Sequence, residues 1–163
     1  MAPSRGPSTL ARSLHTTLGN HKGPVHVARY AKGTSKYVLT GGQDRTVRLW
    51  NPTSGAEIKT YSAHGYEVLS ISVCVSEQIT LHIQTSVTWN TGLLSSHDNS
   101  KFTSSGGDRS VFLWDVMTGS TIRRISGHMG KINTVEFNED ASVIASGTRL
   151  YFSEQIILSN TML

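Results

Sequence analysis
The chain has 163 residues, 37% hydrophobic and 16% charged, a balance that suits a folded β-rich protein better than a disordered one. Its net charge of +4 permits contact with nucleic acid or acidic partners without demanding it. A single cysteine, Cys74, excludes a disulfide framework within the chain and fits a reducing compartment, and no apolar run approaches the ~20 residues of a membrane helix.

Residues 1–43 hold no acidic residue, and 1–12 read as a basic flexible N-terminus. Arg5, Arg12, the serines and the helical spacing of Leu10, Leu14 and Leu18 form a weak mitochondrial-transit pattern. Against it, 13–18 also reads as a strand, one that would close a sheet whose other strands lie elsewhere. From there the sequence predicts short strands at 25–30, 37–41, 46–50 and 57–61, where apolar residues alternate or cluster. Gly33, the stretch Gly41-Gly42-Gln43-Asp44 and the stretch from Asn51 to Gly55 supply the turns. A second set follows at 68–73, 101–104, 110–114 and 121–125, and a third begins at 132–137 and 143–146.

These sets are repeats. TGGQDRTVRLW (40–50) and SSGGDRSVFLW (104–114) align at a constant offset of 64, pairing Thr40 with Ser104, Asp44 with Asp108 and Trp50 with Trp114. The same offset relates His64 to His128 and Gly55 to Gly119, whereas His21 precedes His64 by 43. Residues 74–95 account for the excess; without them the spacing falls to 42, within the ~40–45 residues of a four-stranded propeller blade. Repeat 1 then covers about 21–63, repeat 2 about 64–127 with the insertion 74–95, and a partial repeat 3 covers 128–147. Residues 148–163 read as a tail without repeat character.

The Trp114-Asp115 pair, the near-match Trp50-Asn51, Gly127-His128, and Asp44 and Asp108 six residues before Trp50 and Trp114 resemble the WD-repeat (WD40) family. The resemblance implies an all-β, WD40-type β-propeller fragment of two full blades plus part of a third, not closed. It also implies structural tetrads of His21, Thr40, Asp44 and Trp50, then of His64, Ser104, Asp108 and Trp114. The third set keeps His128 and Ser146, with Leu150 where the aspartate should stand. The stretches NPTSGAEIKTYSAHGYEVL, HDNSKFTSSGGDRSVFLWDV and GHMGKINTVEFNEDASVIASG are similar, more narrowly, to the mitogen-activated protein kinase organizer (WD repeat-containing protein 83) family. That family implies a scaffold for kinase-cascade or spliceosomal proteins, cytoplasmic and nuclear, without a small-molecule substrate or membrane. Direct RNA binding through the basic N-terminal half is the less favoured alternative.

Ser, His and Asp recurring together suggest a hydrolase, but an active site is usually made once, and no Gly-x-Ser-x-Gly elbow exposes a nucleophile. The loop histidines sit on successive repeats, too far apart to share a metal ion. The glycine-rich stretches lack the lysine and helix start of a phosphate loop and read as turns. The sequence therefore predicts neither enzyme nor cofactor. Residues 74–95 and 148–163 fit neither repeat nor family and read as translated intron sequence, which would make the chain a truncated splice or gene-model product. On this reading Leu49, Val111, Leu113 and Val135 pack on blades that are largely missing, and stability is marginal.

Overall fold
Backbone pairing follows the alternation closely. The computed structural model describes residues 14–31, 36–74, 76–77, 97–98, 100–138, 141–149 and 154–160. β1 (Val25–Tyr30), β2 (Val38–Gly42), β3 (Thr46–Trp50) and β4 (Glu57–Ser62) form an antiparallel meander in chain order, the first blade. The chain continues through β5 (Val68–Val73), the short β6 (Ser76–Glu77) and β7 (His97–Asp98), then β8 (Lys101–Gly106), β9 (Ser110–Asp115) and β10 (Thr121–Ser126). Strands β5, β8, β9 and β10 form the second blade in that order, while β6 and β7 pair only with each other. β11 (Ile132–Phe137), β12 (Val143–Arg149) and β13 (Glu154–Asn160) form a third sheet. Among the described residues no helix occurs, and the three blades do not close into a ring.

Each blade buries one face against the next. Leu39, Val47, Leu49 and Tyr61 of the first pack on Ile71, Val73, Phe102, Phe112 and Trp114 of the second. Val111 and Leu113 of the second pack on Ile132, Val135, Phe137 and Ile144 of the third. The aromatic rings interlock: Tyr61 meets Phe102 and Trp114 edge-on at 4.8 and 5.7 Å, and Phe102 stacks on Trp114 at 5.8 Å. Polar groups also cross between blades. Ser70 and Ser72 on β5 accept from the Val135 and Phe137 N–H groups at 3.2 Å each, pairing donors at the inner edge of β11.

Three expectations change. Leu49, Val111, Leu113 and Val135 do not wait for absent blades; all are buried between blades this chain supplies. Position 13 lies outside the described residues, and 14–20 forms no strand. Thr16 nevertheless lies against Gly55, so this segment flanks the β3–β4 turn. Third, repeat structure does not dissolve after Ser146. Thr148 and Arg149 belong to β12, and β13, drawn from 154–160, pairs along all of β12 from Val143 opposite Asn160 to Arg149 opposite Glu154. Backbone hydrogen bonding needs no signature residue, so a segment without repeat character can still complete a ladder.

Blade three also shows how the repeat drifts. Gly42 and Gly106 end β2 and β8 where a side chain would strike the Pro24 and Glu67 carbonyl oxygens, at 2.8 and 1.9 Å from an added Cβ. The corresponding position is Thr148, whose hydroxyl donates to the corresponding carbonyl, that of Lys131. A close approach that demands glycine in two blades becomes a side-chain hydrogen bond in the third.

Candidate interaction face and its polar networks
The β2–β3 turn is tight, and its last residue, Arg45, has φ of 64°; Arg109 in the β8–β9 turn has 56°. Such turns leave backbone donors near the blade edge, and an aspartate inside the turn can accept them. In blade one Asp44 accepts from the Thr46 N–H (3.3 Å) and hydroxyl (2.9 Å) and from the Lys22 N–H (3.2 Å). His21 Nδ1 lies 3.0 Å from both carboxylate oxygens, and its Nε2 lies 2.7 Å from Thr40 Oγ1, which also accepts from the Trp50 indole at 2.7 Å. Burial pushes the Asp44 carboxyl up, but the hydrogen bonds from His21, the Lys22 N–H and Thr46 outweigh it and hold the group down at about 2.

Blade two brings together His64, Ser104, Asp108 and Trp114 likewise: His64 Nδ1 to Asp108 Oδ2 2.7 Å, His64 Nε2 to Ser104 Oγ 2.7 Å, and Trp114 Nε1 to Ser104 Oγ 2.8 Å. In blade three His128 Nε2 lies 2.8 Å from Ser146 Oγ; Leu150 falls outside the described residues. The connectivity Ser104–His64–Asp108 is that of a hydrolase relay. Ser104 is 0% exposed, however, inside β8 and occupied by an indole N–H, so no substrate carbonyl can reach its oxygen.

The two full networks are not identical, and the difference was missed from sequence. Arg48 on β3 lies 3.5 Å from Asp44 and donates to Glu57 at 2.7 Å. Hydrogen bonds from Thr60 and Asn20, then from Arg48, hold the Glu57 carboxyl below its ordinary range. One repeat later the position of Arg48 is Phe112, edge-on to His64 at 4.5 Å. Asp108 Oδ1 has no hydrogen-bond partner among the described residues, as Ser110, at the position of Thr46, donates to the Asp108 backbone carbonyl instead. The repeat alignment held the signal, an arginine opposite a phenylalanine, but its consequence depends on which face of the strand each occupies.

Because each histidine loop binds a turn aspartate, the loops preceding β1 and β5 share one edge of the molecule with the β2–β3 and β8–β9 turns. Arg45, Tyr66, Arg109 and Met129 are exposed on these turns and loops and the one preceding β11. A hollow of about 270 Å³ opens there, lined by Tyr66, Asp108, Arg109, Phe112 and Arg124 together with Ala63 and Gly65. Arg124 lies over the Phe112 ring at 5.5 Å and donates to Ser110. Non-glycine residues at positive φ are uncommon, and holding an arginine there costs on the order of 1 kcal/mol.

The family model for the WD domain, G-beta repeat (WD40) matches residues 12–51 and 119–149, leaving out the stretch that contains the insertion. The chain is similar to the WD repeat domain-containing protein 83 homolog of Dictyostelium discoideum, 27% identical over 137 residues, covering 83% of this chain and 35% of that protein. It is 42% identical over 67 residues to WD repeat domain-containing protein 83 of Homo sapiens, covering 41% of this chain and 21% of the relative. To the guanine nucleotide-binding protein subunit beta of Oryza sativa it is 28% identical over 137 residues, 80% of this chain and 30% of the relative. The chain thus spans about a third or less of the length of these relatives. Repeating antiparallel blades, two full histidine–hydroxyl–aspartate–tryptophan networks and the matched sequence agree that the chain contains repeats similar to those of the WD-repeat family.

Proposed function
We propose that the chain is a non-catalytic scaffold that takes partner proteins on the edge carrying Arg45, Tyr66, Arg109 and Met129. The observation that carries this is the contrast between that edge and the buried networks beneath it. The hydroxyl and indole members of the two full networks are buried in strands and hold the histidines and, through them, the turn aspartates, while cationic, aromatic and thioether side chains stand exposed on the turns and loops. Similarity to WD repeat domain-containing protein 83 and resemblance to the kinase-organizer family make components of a MAP kinase cascade the favoured partners. Spliceosomal proteins follow from the same resemblance, and with them a cytoplasmic and nuclear distribution. A scaffold of this kind raises the effective concentration of its partners without chemistry of its own.

The two arginines offer a test that separates binding from folding. Arg109→Gly removes the charge and relieves the positive-φ cost, so the melting temperature should hold or rise. Binding of purified kinase-cascade proteins to the immobilised chain should weaken in Arg109→Gly and in Tyr66→Ala. Unchanged binding in both variants sinks the assignment of this edge. Binding to RNA that weakens steeply with added salt, without any protein partner, would favour the nucleic-acid reading instead.

A further inference from the structure
The third blade exposes a face that the first two bury. Val47 and Leu49 on β3 stand opposite Gly41 and Leu39, and are 0% and 8% exposed under blade two. Val111 and Leu113 on β9 hold the same places opposite Ser105 and Thr103, and are 1% and 2% exposed under blade three. On β13 the matching residues, opposite Gly147 and Ala145, are Ile156 and Leu158, which are 74% and 71% exposed. The segment without repeat character thus places two large aliphatic side chains where the next blade docks.

The other end of the chain shows the complementary lack. Lys59 of β4, the outer strand of blade one, lies against Gly119 in the β9–β10 turn of blade two. Thr16 lies in the same way against Gly55, the equivalent glycine in the β3–β4 turn of blade one. Burial alternates alike in the two segments: Thr16 and Leu18 are the half-buried members of 14–20, as Lys59 and Tyr61 are the more buried members around β4's centre. Residues 14–20 therefore lie where the outer strand of a preceding blade would lie, yet pair with no strand, and among the described residues no strand flanks the far edge of β13.

We propose that a second copy of this chain fills both gaps: residues 14–20 of one copy add to the edge of β13 of the other, and blade one of the first covers Ile156 and Leu158 of the second. The contact repeats the interface already formed between blades one and two, with β4 replaced by 14–20. Made twice in head-to-tail sense it gives a ring of six blades, within the 4–8 of propellers, and removes the exposed sheet edge.

The test is the mass of the purified 163-residue chain by light scattering after size exclusion, across a dilution series. The expected species has twice the 17.7 kDa chain mass. Ile156→Lys with Leu158→Lys, changing only exposed side chains, should give the monomer with an unaltered circular dichroism spectrum. Mixing Leu18→Cys chains with Ile156→Cys chains, the pair matching Tyr61 opposite Val47, should give a mixed disulfide under mild oxidation. A monomeric parent chain, or a dimer that survives the double lysine change and forms no mixed disulfide, overturns the proposal.

Discussion
Val73 and Phe102 face each other across neighbouring antiparallel strands although the whole 74–95 insertion lies between them in sequence. Beyond them the Cys74 N–H donates to the Lys101 carbonyl at 3.0 Å, and Ser76–Glu77 pairs with His97–Asp98. The insertion leaves blade two at the tip of a hairpin, the position at which added length disturbs the sheet least. Replacing 78–96 by Asn-Gly should preserve the blade and lower the loop-closure entropy by about 2 kcal/mol. Chemical denaturation would register this as a higher midpoint at unchanged slope. A marked loss of stability would mean that the segment packs on the blades.

Glycine at the end of β8 is set by contact. Gly106→Ala drives a Cβ to 1.9 Å from the Glu67 carbonyl oxygen, so β5 and β8 must part where they pair. A loss of about 2–4 kcal/mol is expected, the scale of a core backbone distortion. Gly65→Ala, in the adjoining loop with no atom within 4 Å, should be near neutral. Thermal melts of the two variants side by side check the contrast.

Asp44 makes stability depend on acid. Its carboxyl is held at about 2 in the folded chain against an ordinary 3.8, so the ionised form is favoured by folding. That contribution, roughly 2 kcal/mol, is complete above about pH 4 and disappears as the pH falls through 2. Asp44→Asn should flatten the stability profile across that interval and lower stability at neutral pH. A variant profile parallel to that of the parent chain would remove Asp44 as the cause.

The two aspartates should not be equally important. Asp44 serves His21, the Lys22 N–H, both Thr46 donors and Arg48, whereas Asp108 serves His64 with one oxygen. Asp44→Ala is therefore expected to destabilise more than Asp108→Ala, at about 1–3 kcal/mol for each partner stranded. Ser104→Ala, which strands both the Trp114 indole and His64, should exceed Asp108→Ala. The order of the three melting temperatures is the check, and equal values would mean the networks are equivalent.

Most strand positions, the blade period and the members of the two full networks were legible in the sequence. Their causes are local: side-chain alternation sets the strand faces, Gly, Asn and Asp set the turns, and a repeated spacing reveals the unit. Arg48, Glu57 and Asn20 were not legible as a group, because they meet through strand pairing and a loop crossing that no single repeat encodes. Ser70 and Ser72 were hidden for the same reason, their role being to receive N–H groups from another blade.

By itself the sequence determined that this chain is made of antiparallel blades braced by buried histidine–aspartate pairs. The tertiary structure alone decided what becomes of the departures: an insertion carried at a hairpin tip, and a third strand built from 154–160. A sheet edge selects its neighbour by backbone hydrogen bonds and by the shape of an apolar face, and neither leaves a motif in the residues that respond to it.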